Sequence, residues 1–243
     1  MKPTGAAAVM AAHAPATVEG DSARQALHRK LEYFPTPPWA ARAGAEVILG
    51  LDPGSWWAWE PACGEGHMAH GLAEYFETVH ATDIHDHGSR HQHGAPLDFL
   101  SAEADAFDQA DWIITNPPFG QAAEFVRAGL KRARRGVAIL ARTALMESAK
   151  RYPLFFGETP LTAMAPFMER VPMTLGRWDP KASTATAYAW FIWMKPGITP
   201  GDRARWTTDH AMIWPIPPGT RARLTRPGDA RAFGAKADAG GLF

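Results

Sequence analysis

The chain has 243 residues, 46% hydrophobic and 21% charged, enough for one α/β domain with a sizeable core and unlike a disordered or fibrous protein. The single cysteine, Cys63, excludes an intrachain disulfide and a multi-cysteine zinc site, and no apolar run approaches the roughly eighteen residues of a membrane span. The net charge of zero conceals a split: residues 1–120 hold 6 Lys+Arg against 16 Asp+Glu, whereas residues 121–243 hold 19 against 9. That asymmetry points to a polyanion held by the basic half, although a solvated surface gives the same composition.

Residues 1–28 are rich in Ala, Pro and Thr without a sustained apolar period, so a flexible leader is expected. The Ala-rich stretch 5–16 is interrupted by His13 and Pro15 and lacks the apolar centre of a signal peptide, which favours a cytoplasmic protein. Next comes Leu31-Glu32-Tyr33-Phe34-Pro35-Thr36-Pro37-Pro38-Trp39. Its prolines forbid a helix interior before Pro38, and the pattern places Thr36 as N-cap and Pro37 as first residue of a helix reaching about Leu49. Rings beside a helix start can wall a ligand cleft, and an ordinary helix entry looks the same.

Residues 55–62 fit a buried strand, and Cys63-Gly64-Glu65-Gly66-His67 follows as a turn into a helix that runs to about Phe76. Glycines in a strand-turn-helix unit let backbone approach a ligand closely. The spacing is neither GxGxxG nor a lysine-bearing phosphate loop, which sets nucleoside triphosphates aside. A second strand over residues 79–84 carries Asp83, 19 residues beyond Gly64, where an acid grips ribose hydroxyls; a solvated strand-end acid is the alternative. His85, His87, His91 and His93 stand among Gly, Ser, Arg and Gln, with no helix to fix a pair, so a flexible surface loop is expected rather than a metal site.

Asp98 and Phe99 precede a strand over residues 110–115 that delivers Asn116-Pro117-Pro118-Phe119. Two adjacent prolines fix φ and remove two N–H donors, so the chain leaves the strand in a stiff extended turn. The turn presents an amide, free carbonyls and an aromatic ring, a set suited to accepting hydrogen bonds from an exocyclic amine while a ring lies on the planar group that carries it. A helix over residues 121–135 follows, with cations gathered near its end as the helix dipole alone would favour. Then come a strand at 136–142, a helix at 144–156, strands at 162–168 and 185–194, and a polar loop at 170–184 between the last two. Residues 199–243 form a basic Pro/Gly-rich extension with an edge strand near Met212 and a loose end from about Ala230. The alternation predicts a mainly parallel, three-layer sheet.

Glu60-Pro61-Ala62-Cys63-Gly64-Glu65-Gly66 followed by Asn116-Pro117-Pro118-Phe119 resembles the cofactor and catalytic motifs of S-adenosylmethionine (SAM)-dependent amino-methyltransferases, most closely the DNA adenine-N6 methyltransferases. Residues 33–39 look like the motif that precedes the SAM motif in the subgroup with the SAM site first. The resemblance covers roughly residues 30–195. It implies a Rossmann-like class I methyltransferase fold over residues 29–198, a seven-stranded mostly parallel sheet with an antiparallel last strand and helices on both faces. It also implies SAM as donor, S-adenosylhomocysteine (SAH) as product, and ligands at the carboxyl edge of the strands.

Carried over by position, Glu60, Pro61, Ala62, Cys63, Gly64 and Gly66 would hold the methionine part of SAM, and Asp83 with Ile84 the ribose. Asp98 and Phe99 would meet the adenine ring, while Tyr33, Phe34, Thr36 and Pro37 close the cleft beside Asn116. The Asn116 oxygen and the Pro117 carbonyl would accept the target amine's hydrogens, Pro118 would stiffen the turn, and Phe119 would stack on the base. A base in a duplex must be flipped to reach such a pocket, or the substrate is already single-stranded. No segment is long enough for a large recognition domain, so nucleic-acid contact falls to Arg142, Lys150, Arg151, Arg170, Arg177 and Lys181. DNA is favoured over RNA; an RNA base amine, a protein glutamine amide and a catalytically silent nucleic-acid platform are the alternatives. No metal and no membrane partner are expected.

Overall fold

A computed structural model describes residues 23–107, 110–157, 160–195, 197–198 and 211–233. Within them lie α1 (Ala23–Lys30), α2 (Pro38–Leu51), β1 (Trp57–Glu60), α3 (His67–Leu72), β2 (Thr78–Ala81), β3 (Trp112–Thr115) and α4 (Ala122–Arg132). After these come β4 (Gly136–Arg142), α5 (Tyr152–Phe156), β5 (Ala163–Pro166), β6 (Tyr188–Met194), β7 (Met212–Ile213), α6 (Thr220–Leu224) and α7 (Pro227–Phe233).

The strands form one sheet in the order β2-β1-β3-β4-β6-β5-β7. The first four run parallel to one another, β6 runs antiparallel to both β4 and β5, and β7 is parallel to β5. Alternation sends successive side chains to opposite faces, and here both faces are apolar. Trp112, Ile114, Ala138, Leu140, Trp190 and Ile192 pack with α2 residues such as Trp39 and Ile48 on one face. Ile113, Val137, Ile139, Phe191 and Trp193 pack with Phe125 and Val126 of α4 on the other. The sheet is therefore sandwiched between helices.

Several local expectations change. Residues 23–30 are helical, so an ordered element begins inside the stretch read as a leader; residues 1–22 lie outside the described residues. The N-cap of α2 is Pro37 with Pro38 at the first turn, one residue later than expected, and Thr36 makes no capping bond. Proline suits the first turn, where its missing N–H has no partner to lose. The helix expected over residues 144–156 is instead two 3₁₀ turns, Thr143–Met146 and Ala149–Arg151, followed by α5. Pro153 explains the break, since its ring would clash with the carbonyl four residues earlier in a continuous helix.

The histidine loop is likewise built in. His93 N–H donates to the Ala81 carbonyl at 2.7 Å and its Nδ1 accepts the Ala81 N–H at 3.0 Å, so the loop closes the open edge of β2. The C-terminal extension folds back as well: Asp229 pairs with Arg42 in a fully buried bidentate contact, Nη1 to Oδ2 at 2.7 Å and Nη2 to Oδ1 at 2.8 Å. Residues 230–233, expected as a loose end, are the last turn of α7.

Candidate active site at the carboxyl edge of the sheet

The carboxyl ends of β1, β2 and β3 open on a cavity of ≈ 440 Å³, within the range of small-molecule pockets. Of the residues assigned to the methyl donor, Tyr33, Phe34, Thr36, Glu60, Pro61, Ala62, Cys63, Asp83, Ile84, Asp98, Phe99 and Asn116 line it. Pro118 also lines it, whereas Pro37, Gly64, Gly66, Pro117 and Phe119 do not. His67, His87, Gln121 and Phe125 are lining residues that sequence reasoning missed. Phe125 carried a core-facing helical period, which gave no sign that its ring reaches past the core.

Glu60 ends β1 and is 2% exposed, with Oε2 lacking any hydrogen-bond partner. Burial pushes its carboxyl well above the usual carboxylate range, nearby Asp83 adds to the shift, and the Ala69 amide opposes it. The ionised form of Glu60 is thus disfavoured by the protein alone, and a cationic partner would favour it. Downstream, Gly64 (φ 52°) and Gly66 (φ 87°) occupy left-handed backbone that disfavours any side chain. The close approach that they permit is made by the protein itself. A Cβ on Gly64 would lie 2.3 Å from the Tyr33 ring, and one on Gly66 would lie 2.4 Å from His91 Cβ. The Tyr33 hydroxyl accepts the Glu65 N–H at 3.2 Å, and burial followed by the Glu65 charge raises its pKa. Burial also raises the Cys63 thiol, with Glu60 and Asp83 adding to the effect, which keeps it un-ionised.

Asp83 is held from two sides. Its Oδ2 accepts the Gly64 N–H at 2.8 Å and its Oδ1 accepts the His85 N–H at 2.9 Å, with His87 Nε2 3.4 Å away. Each oxygen keeps a lone pair for a further donor. His87 also packs against Tyr33, ring centroids 5.0 Å apart, so the histidine loop forms one wall of the cavity. Among the described residues no three His, Cys, Asp or Glu side chains are grouped to hold a metal.

The Asn116 amide is oriented by its Nδ2, which donates to the Phe34 carbonyl at 2.9 Å. This leaves Oδ1 buried and without a partner, on a residue that lines the cavity. Phe119 is placed differently from the stacking role assigned to it. Its ring packs on Phe34 at 5.2 Å, and the Arg142 guanidinium covers it at 4.2 Å from the centroid. Arg142 ends β4, the strand beside β3, which is why it meets the turn.

The remaining candidates for nucleic-acid contact lie outside the cavity lining. Lys150, Arg170, Arg177 and Lys181 are exposed. Arg151 donates from Nε to the Leu145 carbonyl at 2.6 Å, so it braces its own loop.

The chain matches no protein-family model and no curated protein. Among solved structures, a provisionally named RNA methyltransferase from Pyrococcus horikoshii is similar at 14% identity and TM-score 0.52, covering 76% of this chain and 95% of that one. The modification subunit of a provisionally named type I restriction enzyme from Vibrio vulnificus gives 13% and 0.48, covering 82% of this chain and 51% of that one. An O-methyltransferase from Bacillus cereus, solved with SAH, gives 11% and 0.46 over 74% and 94%. This chain spans about half the length of the restriction subunit. At these identities the likeness concerns the fold, which is that of the class I SAM-dependent methyltransferases.

Proposed function

We propose that the protein transfers a methyl group from SAM to the exocyclic N6 amine of adenine in DNA. One observation carries the reading: Glu60 Oε2 and Asn116 Oδ1, both buried and both without a partner, belong to residues lining the same cavity. A buried polar atom left unpaired costs about 1–3 kcal/mol, so each is kept for a ligand group that supplies a hydrogen. Glu60 suits the ammonium of the donor's methionine part, Asp83 the ribose hydroxyls, and Asp98 with Phe99 the adenine ring.

When bound, SAM supplies an electrophilic methyl on a sulfonium. Asn116 Oδ1 would accept one amine hydrogen and the Pro117 carbonyl, beside the cavity lining, the other, which draws the nitrogen lone pair out of conjugation with the ring. Transfer would form the N–C bond as the S–C bond breaks with its electrons passing to sulfur, and would release the displaced amine proton to solvent. The work is positioning and electrostatic, with no general base of unusual pKa required. The base takes the face of Phe119 that Arg142 covers, and the displaced guanidinium is then free for a phosphate.

Mass spectrometry of nucleosides from DNA and RNA incubated with protein and SAM tests the reading, with a protein digest as a third arm. N6-methyladenine in DNA is expected. Methylation confined to RNA or to glutamine would replace the substrate, and no transfer to any acceptor would remove the activity.

A further inference from the structure

Residues 170–184, a polar loop by composition, have two unlike sides. The inner side lines no part of the cavity itself but packs on three residues that do. Met173 Sδ lies 3.9 Å from Asn116 Nδ2, the Gly176 N–H donates to the Tyr33 carbonyl at 2.8 Å, and the Trp178 ring stands edge-on to His67 at 6.4 Å. Val171, Met173 and Trp178 are buried, while Arg170, Arg177 and Lys181 are exposed on the other side. Arg177 is thus the immediate neighbour of the residue that reaches the cavity wall.

The Trp178–His67 contact is chemically unfinished. Trp178 Nε1 and both His67 nitrogens are buried without partners. Burial and the neighbouring His91 and His70 hold the His67 pKa down to about 3, so the ring is neutral and offers one N–H. Two buried N–H donors thus lie where the segment packs on the cavity-lining His67, and both lack an acceptor. The carboxylate of an amino-acid-bearing ligand supplies one, with Glu60 as counterpart for its ammonium.

We propose, on the basis of the methyl-transfer reading above, that residues 170–184 couple the two ligands. Trp178 is a positioning residue seated on His67 by the methyl donor, and its seating presents Arg177 and Lys181 to the nucleic-acid backbone. The donor favours the seated form because only that form pairs both N–H groups, and such a difference in affinity between two forms is what shifts a population. Linkage then requires the nucleic acid to tighten donor binding by the same factor.

The test uses SAH, which supports no turnover, titrated calorimetrically into the full chain with and without a short adenine-containing DNA duplex. SAH is expected to bind about fivefold or more tightly with DNA present, and Trp178→Phe, which keeps the ring but removes the N–H, brings the ratio towards one. A wild-type ratio of one overturns the coupling and leaves the methyl-transfer reading standing, whereas absence of SAH binding removes that reading and the coupling with it. A variant ratio equal to wild type overturns the role of Trp178. Should Trp178→Phe fail to fold, Gly176→Ala applies the same criterion, because its Cβ would come 2.2 Å from His28 Nδ1 and displace the segment from outside the cavity.

Discussion

The two edges of the sheet treat buried charge in opposite ways. At the amino edge Asp52, 2% exposed, accepts hydrogen bonds from Arg135 Nε and Nη2, both at 2.5 Å, and from Trp112 Nε1 at 3.1 Å. Arg135 in turn lies over the Trp56 ring at 3.8 Å. At the carboxyl edge Glu60, Asn116 and Thr115 each keep a buried oxygen without a partner. The same sheet thus pairs the Asp52 carboxylate at one edge and leaves buried acceptor oxygens open at the other, although Trp57 Nε1 at the start of β1 is an unpaired donor on the closed side. Among the described residues the buried side-chain oxygens without a partner belong to Glu60, Thr115 and Asn116, and they mark the candidate edge more sharply than the number of acids does.

The largest expected effect tests whether the open edge does chemistry. Asn116→Ala should lower methyl transfer about 10²–10³-fold, read by nucleoside mass spectrometry, with SAH affinity changed only a few-fold. Persisting activity would sink the catalytic assignment. Asp52→Ala, at the closed edge, should cost about 3 kcal/mol in denaturant unfolding, the low end for breaking a buried pair, because Arg135 keeps partial access to water. Its SAH affinity should match wild type; a loss would show that the edges are not independent.

Glu60→Gln sharpens the contrast, since one substitution should move binding and stability in opposite directions. Loss of a charge-assisted bond should weaken SAM about tenfold or more, by calorimetry. Because the folded pKa of Glu60 is raised above the unfolded value of about 4.3, the native state binds the extra proton. Its stability contribution is therefore lost as pH rises through the folded value. Ionisation is needed to meet an ammonium, so SAM affinity should rise with pH over that same interval. The glutamine variant should flatten both trends and melt higher than wild type at neutral pH; a lower melting temperature would contradict the burial argument. The smallest effect belongs to the exposed cations. Replacing Arg177 and Lys181 by alanine should reduce the salt slope of DNA binding by about two, and an unchanged slope would place the backbone contact elsewhere.

Much of the fold was legible because its signals are local. The run from Gly136 to Arg142 is apolar at every position but the last, and it is a strand with those bounds. The proline pair after Asn116 ends β3 where backbone chemistry requires. What escaped depends on distant partners. No local pattern shows that the histidine loop will close the edge of β2, or that Phe119 will be covered by an arginine from the next strand. Trp178 sits in a segment polar enough to read as loop throughout, yet one ring buries it against His67. Pro153 breaks the helix expected over residues 144–156 through a clash with backbone four residues earlier, which hydrophobic periodicity does not register.

The Arg42–Asp229 pair has a consequence for how the protein is made. Its partners are 187 residues apart, and Phe233, four positions beyond Asp229, stacks on His67 at 4.2 Å. During synthesis α2 emerges with a guanidinium destined for the interior and no carboxylate to meet it until α7 is translated. Until then the helix after the glycine turn lacks its brace, so the carboxyl-edge cavity matures only once α7 has been made, and a nascent chain stalled before residue 229 should bind SAH poorly.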